Sequence, residues 1–482
     1  MSKTKKTTLI KKAHLSKVIT SYAIYVLIVI FGCLYAFIGI TKYIHYQTGL
    51  DLAIYVQSFW FYTHFSLPYV TLSPTYGDLV WADHFSPSLM LLTPFYFLWP
   101  DPKTLIVLQS FIYTAGAYPV YRFAKEKLQS QMLALALAFS FLTFFGTQNP
   151  LTFDFHLGTI AASFLPWILW AMFKKKWKIF VVLCVVASGF KEDMPLYVAT
   201  LSLYLILSRK NWKLGGILLV VSIAYEVLIT KYIMPSLVHY AQKTFSVAYF
   251  KLDPAYLWAL FFDNPAKMHT VFLSFANYLF IPLFSGPFLL LPFAHFFINF
   301  SNPEYPGRWD IYLHYRAYLT SIMAFGTILG LVGLAKRWPK VFARSTFKNI
   351  IASLLVVTAL LFDFFLHLPL NSLAKKQFYY KENWIADNDK IARKIPEDAY
   401  LLTTNHLAPQ VSYRKHVYYF PQHIDEADYI FVDLHPNQPI INFWYSAHIQ
   451  EDLDNHIKSI IRSKKYVIVE KSGDAYLLKR NN

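Results

Sequence analysis

Charged residues are scarce in this chain. They make up 15% of its 482 residues, while apolar residues reach 56% and aromatics 19%. An average soluble domain is about one-quarter charged. A soluble globule of this length could not keep so much apolar surface from water. This rules out an ordinary cytosolic enzyme, a disordered chain and a collagen-like chain, and a mean hydropathy of +0.35 agrees. The class left is an α-helical polytopic membrane protein that packs against lipid. The only two cysteines, Cys33 and Cys184, both lie in apolar runs and argue for neither a disulfide framework nor a thiol metal site. No P-loop or dinucleotide fingerprint is present. The absence of an internal repeat disfavours a carrier built from repeated halves. No small-residue cleavage pattern follows the first apolar run, so that run is expected to remain as an anchor. The net charge of +17 would suggest nucleic acid in a soluble protein. Here its distribution matters more, and no nucleic-acid partner is expected.

A membrane span needs about 20 mostly apolar residues. About eleven are expected, near 18–41, 103–122, 129–148, 157–173, 177–190, 194–208, 213–233, 270–284, 286–299, 316–335 and 348–368. The apolar stretch 85–99 has fifteen residues and two prolines, and reads as a helix at the membrane interface. With the N-terminus in the cytoplasm, the inner segments hold 21 Lys/Arg against one acid, Glu126. The outer loops 42–102, 149–156, 191–193, 234–269 and 300–316 hold seven against eleven. That asymmetry follows the positive-inside rule. Making 85–99 a full span would destroy it. An odd number of spans places the C-terminus outside.

The composition changes near residue 370. Residues 1–369 form the membrane part; 370–482 carry 15 Lys/Arg and 14 Asp/Glu with no long apolar run. Strand-like pieces at Tyr400–Thr404, Val417–Phe420, Tyr429–Leu434, Tyr466–Glu470 and Ala475–Leu478 frame helix-like pieces at Ile385–Lys394 and Asp452–Ser463. The pattern predicts a small extracytoplasmic α/β domain.

Polar residues gather in the outer loops. Asp51 follows the first span; Asp83 and His84 precede the interfacial stretch. Asp154 and His156 share one short turn, Lys191, Glu192 and Asp193 another, and His314, Tyr315 and Arg316 stand at the mouth of the tenth span. Ionisable groups at that depth are costly unless paired or wetted. Their convergence in one polar cavity at the outer leaflet is the central expectation. Each has a plainer alternative. Asp51 is a suitable helix cap, and Asp83–His84 a simple carboxylate–imidazole pair. Asp154 and His156 suit a capping pair, and two groups are too few to claim a metal. Lys191-Glu192-Asp193 also reads as a solvated boundary, and Arg316 as a side chain snorkelling to headgroups. Glu226 and Asp363, within spans, read as buried pairs with neighbouring helices. The Gly326–Gly330–Gly333 spacing reads as close helix packing.

The segments TGLDLAIYVQSFW (48–60), HFSPSLMLLTPFYFLWPDP (84–102), FDFHLGTIAASFLPW (153–167), KEDMPLYVATLSLYL (191–205), HYRAYL (314–319), PEDAYLLTTNHLAPQVSYRKHVYYFP (396–421) and ADYIFVD (427–433) carry a resemblance. In their order and spacing the chain resembles a prokaryotic multi-pass family described as a domain of unknown function (DUF2079), grouped with the GT-C glycosyltransferases. The usual pattern has a small residue where Arg316 stands, so any role for Arg316 is not inherited. The resemblance implies an enzyme that moves a sugar from a polyprenyl-phosphate donor to an acceptor outside the cytoplasm. It also implies juxtamembrane helices in the first outer loop and a key acid soon after the first span, a position matched by Asp51.

On that reading Asp51, with Asp83 as second choice, takes the acceptor's proton. Lys191, Arg316 or protonated His84 meets the donor phosphate, and the displacement inverts the anomeric carbon. Asp154, His156, Glu192, Asp193, His314 and Tyr315 hold sugar or acceptor, with a divalent cation as the lesser role for the acids. The partners are the donor, membrane lipids and a glycan, lipid or protein acceptor. A transporter or flippase coupled through Glu226 and Asp363 is the first alternative, and a non-enzymatic scaffold the second.

Overall fold

The computed structural model describes residues 3–72, 79–238, 253–301, 306–436 and 449–481. Parts of the expected outer loops, at 73–78, 239–252 and 302–305, lie outside the described residues. Four described helices or continuous helical runs are long and apolar enough to cross a membrane: Tyr22–Ile44, Trp212–Ser236, His314–Arg337 and Ser345–Phe365. A fifth arises if Gln131–Thr143 and Phe145–Thr152, bent by 41°, count as one span. Shorter apolar helices fill the expected intervals at Leu157–Phe173, Trp177–Ser188 and Met194–Leu207. At 1.5 Å per residue, a helix of 14 residues such as Met194–Leu207 reaches about 21 Å, short of a hydrocarbon core of about 30 Å.

Local chemistry sets the helix ends. Asp101 accepts from the Lys103 N–H at 2.8 Å ahead of Pro102, and Asn264 accepts from the Ala266 N–H at 2.9 Å ahead of Pro265. Both are N-cap residues followed by proline at the first helical position. The expected span 103–122 is two helices, Pro102–Thr114 and Ala117–Leu128. The interval 270–284 is also interrupted. Helix Pro265–Asn277 stops, Leu279 and Phe280 take positive φ, and short 3-10 turns run over Ile281–Phe284 and Gly286–Leu289. Pro282 and Pro287 lack the N–H that a continuing helix would need. Helix Ala317–Arg337 packs on this broken segment. A Cβ on Gly330 would lie 2.2 Å from the Ile281 carbonyl oxygen, so glycine is what allows the close approach.

The stretch 85–99 is a 3-10 turn, Pro87–Leu92, leading into helix Thr93–Leu98. Leu89 and Tyr96 are fully buried, while Leu91, Phe95 and Leu98 are exposed on the other side. One face is held by protein and the other is an exposed apolar face.

The C-terminal segment forms a five-stranded sheet in the order β2-β1-β3-β5-β4. Its strands are β1 (Leu401–Thr403), β2 (Val417–Tyr419), β3 (Tyr429–Asp433), β4 (Tyr466–Ser472) and β5 (Ala475–Arg480). β1 runs parallel to β2 and β3; β5 pairs antiparallel with β3 and β4. Alternation along the strands splits the sheet into two faces. Leu402, Ile430 and Val432 join Leu453 and Ile457 of helix Ile449–Arg462 in a small core. Leu401, Phe431 and Leu477 join the core that continues into the membrane helices.

Polar contacts complete that docking. Gln410 Nε2 donates to the Tyr43 carbonyl at 2.7 Å, Tyr46 Oη to Asp389 at 3.0 Å, and Gln57 Nε2 to the Lys415 carbonyl at 3.1 Å. The sheet is therefore seated on the end of helix α1 (Lys3–Ile44) and on helix α2 (Leu50–Thr63).

Candidate functional site

The site starts at the head of α2. Asp51 lies in its first turn, where the helix dipole favours a negative charge. Asp51 does not cap the helix. The opening N–H groups are taken by distant residues: Gly49 donates to Asp154 Oδ2 at 3.0 Å and Leu50 to Asn405 Oδ1 at 2.6 Å. With those donors satisfied, the Asp51 carboxylate stays available.

Around it the outer turns converge. The Asp51 side chain keeps 43% of its exposure, and its Oδ2 lies 3.7 Å from His156 Nε2. That separation is too long for a hydrogen bond. Crowding by protein raises Asp51 to about 6; His84 and Lys191 pull it down and Asp83 pushes it up. Water on its open side works against the rise. His156 is buried, and burial, followed by the charges of Lys191 and His84, holds it well below the usual imidazole range, so it stays neutral. Its ring stacks on His314 with centroids 3.6 Å apart, and His314 meets the Tyr315 ring at 4.1 Å.

Burial, then the nearby charge of Asp51, pushes Asp154 up to about 8. Asp51 and Asp154 are thus two neighbouring carboxyls whose proton affinities are pushed apart by environment. Glu192, lowered to about 2, is ionised through the neighbouring His84 and Lys191, which outweigh its burial. An ionised carboxylate only accepts, so the 2.8 Å contact fixes His84 Nδ1 as the donor to Glu192 Oε1.

Lys191 is 7% exposed. Its stem runs along Gly158, where a Cβ would sit 3.4 Å from Cδ and 3.6 Å from Nζ. Asp51, Glu192 and Asp193 feel its charge. Among the described residues, no acid lies within ion-pair distance of its ammonium. This is a buried cation near an ionised carboxylate, without an ion-pair partner among the described residues. Asp193 accepts from Tyr318 Oη at 2.9 Å, and burial raises it.

The structure thus brings Asp51, Asp83, His84, Asp154, His156, Lys191, Glu192, Asp193, His314 and Tyr315 into one neighbourhood. Arg316 is the exception. It is fully buried, its Nη1 meets His295 Nε2 at 3.2 Å, its Nη2 donates to the Arg308 carbonyl, and its guanidinium lies 5.8 Å from the Phe300 ring. It neither snorkels nor faces the cluster. Asp154 is brought to the head of α2, where its oxygens accept from the Gly49 N–H. Among the described residues, no three His, Cys, Asp or Glu side chains are placed to hold a metal ion.

Sequence reasoning gave no role to Asn405 or Arg308. Arg308 stands 5.0 Å from the Tyr315 ring and acts on Asp193. The TTNH segment (403–406) was a visible signal for Asn405, but nothing in it names the partner 355 positions away. Asp363 accepts from Gln148 Nε2 at 3.0 Å near the end of its helix, which fits the plainer reading of that residue.

No curated protein matches the chain in sequence. Its fold resembles that in the crystal structure of ArnT from Cupriavidus metallidurans in the apo state, at a TM-score of 0.52 and 12% identity, covering 97% of this chain and 98% of that one. That likeness is one of fold. A family model described as a predicted membrane protein (DUF2079) matches residues 43–477, almost the whole chain, and the chain belongs to that family.

Proposed function

We propose that the protein is a membrane glycosyltransferase. It moves a sugar from a polyprenyl-phosphate donor to a hydroxyl-bearing acceptor on the outer side, and it inverts the anomeric carbon. The observation that carries this reading is that an ionisable carboxylate, Asp51, lies within the electrostatic reach of the buried cation Lys191. The GT-C-like fold agrees with it.

The acceptor oxygen attacks C1 as the C1–O bond to phosphate breaks. The hydroxyl proton passes to Asp51, whose affinity near 6 suits a general base working close to neutrality. The electron pair leaves on the polyprenyl phosphate, and Lys191 with His84 meets that charge. Glu192 orients His84 through Nδ1. His156, neutral and stacked on His314, positions the sugar; Tyr315, Asp193 and Arg308 border the acceptor side. The sheet-bearing C-terminal segment lies outside the cytoplasm and holds the head of α2 through Asn405.

The experiment is a transfer assay with purified protein and a panel of polyprenyl-phosphate sugars, followed by assignment of the product's anomeric configuration. Transfer with inversion is expected. Folded protein that transfers no sugar from any donor, or retains configuration, would overturn the reading.

A further inference from the structure

A second polar feature lies at the other end of the helices, away from the Asp51 cluster. The end of helix Ala117–Leu128 and the end of helix Leu157–Phe173 border a half-open surface cavity of about 290 Å³. It is lined by Arg122, Lys125, Glu126, Trp170 and Lys174. We propose that this cavity binds the phosphate headgroup of an anionic membrane lipid.

The charges point to an anion. Glu126 is the one acid among the lining residues, and both its oxygens are occupied: Oε2 by Lys174 at 2.7 Å and Oε1 by Lys127 at 3.4 Å. The hydrogen bond from Lys174 holds Glu126 below the usual carboxylate range, so it remains ionised and paired. Among the described residues, Arg122 and Lys125 have no acidic partner. Lys125 Nζ donates to Tyr121 Oη at 3.3 Å, and the Arg122 guanidinium lies 5.9 Å from the Tyr118 ring. Both cations are thus steadied by neutral aromatic groups and keep their charge for a ligand. A guanidinium and an ammonium at one opening suit a phosphodiester, which takes paired N–H donors from arginine and a point charge from lysine.

The surroundings point to a lipid source over a free phosphate. Trp170 stands at the end of its helix, where indole rings settle at headgroup level. Beyond Arg122, the Tyr118 ring stacks near Trp167 at 6.0 Å and meets Tyr25 of α1 at 5.7 Å. Tyr25 is exposed, as are its neighbours Tyr22 and Val26. A ligand in the cavity would therefore have an exposed aromatic face beside it for its acyl chains. The volume is at the lower end of the range that holds small organic ligands, about 300 Å³ and upward. The face itself is cation-rich, with Lys174, Lys175, Lys176 and Lys178 in one run, and such surfaces concentrate anionic lipids.

The test is native mass spectrometry of the full chain with phosphatidylglycerol, phosphatidylcholine and inorganic phosphate supplied separately and in competition. The wild-type protein should retain phosphatidylglycerol about tenfold over phosphatidylcholine, and inorganic phosphate should not displace it. The double substitution Arg122→Gln with Lys125→Gln should reduce phosphatidylglycerol to the phosphatidylcholine level. Arg209→Gln with Lys213→Gln, which removes the same charge from the same face, should leave retention intact. Equal retention of the two lipids by the wild type overturns the proposal, whether or not the variants fold. So does equal loss in both double variants, which would mean diffuse surface charge. Displacement by inorganic phosphate would assign the cavity to free phosphate and overturn the lipid reading.

Discussion

The two ends of the helices treat charge in opposite ways. At the Arg122 end, lysines and arginines are exposed and the lone acid Glu126 is shared between two lysines at the surface. At the Asp51 end, carboxylates, imidazoles and a lysine are drawn inward, from half-buried Asp51 to buried His156 and Lys191, and several are shifted from their ordinary proton affinities. Snorkelling cations cost little and serve orientation and lipid contact. Inward ionisable groups are expensive and call for a chemical reason. Both ends thus draw on one sparse set of charges.

Four predictions sharpen or break this comparison. Lys191→Met removes the buried cation and should lower kcat/KM for sugar transfer by about 10²–10³-fold, as loss of a preorganised electrostatic group does. Donor-concentration series on wild type and variant measure it. A loss under threefold would mean that Lys191 does not meet the phosphate.

The pH dependence should separate the two ends more finely. A general base works only when ionised, and burial lifts Asp51 to about 6. Activity should therefore fall as pH drops through about 6, by about tenfold per unit below it. A pH–rate profile on protein whose circular dichroism is unchanged over that range checks the limb. Its absence would remove the raised carboxyl from the mechanism.

Asn405→Ala leaves the Leu50 N–H without its acceptor and loosens the seat of Asp51. Loss of a capping group costs about 1 kcal/mol, which shifts thermal unfolding of a chain this long by only about 1 °C. kcat should fall about fivefold, with KM little changed if Asn405 positions Asp51 and touches no substrate. Asn405→Asp restores the acceptor and should recover most of the loss. The smallest effect belongs to the other end: Lys340→Ala, at an exposed position, should change stability by less than about 0.5 kcal/mol and leave transfer unaltered.

Much of the fold was legible in the sequence because its signals are local. Apolar runs mark helices in the expected intervals, and alternation marks β1 to β5 within a residue or two at most ends. The break at 278–280 was less legible, because the surrounding apolar run conceals a backbone set by left-handed residues and two prolines. At the site, the residue types were legible and the pairings were not. Asp154 reaches Gly49 across 105 positions, and Asn405 reaches Leu50 across 355. Nothing near either residue in sequence marks the partner. Arg316 shows the same limit from the other side. A cation at a span mouth reads as a phosphate ligand or a snorkel, but His295 and the Arg308 carbonyl hold it inside.

The most direct measurement is a single turnover by purified Asp51→Asn protein saturated with the polyprenyl-phosphate sugar that the wild type uses. The substitution keeps shape and removes the base. Donor binding should remain within a few-fold of wild type while the transfer step slows by about 10²–10⁴-fold. Transfer at the wild-type rate by folded, donor-loaded Asp51→Asn protein would contradict the account.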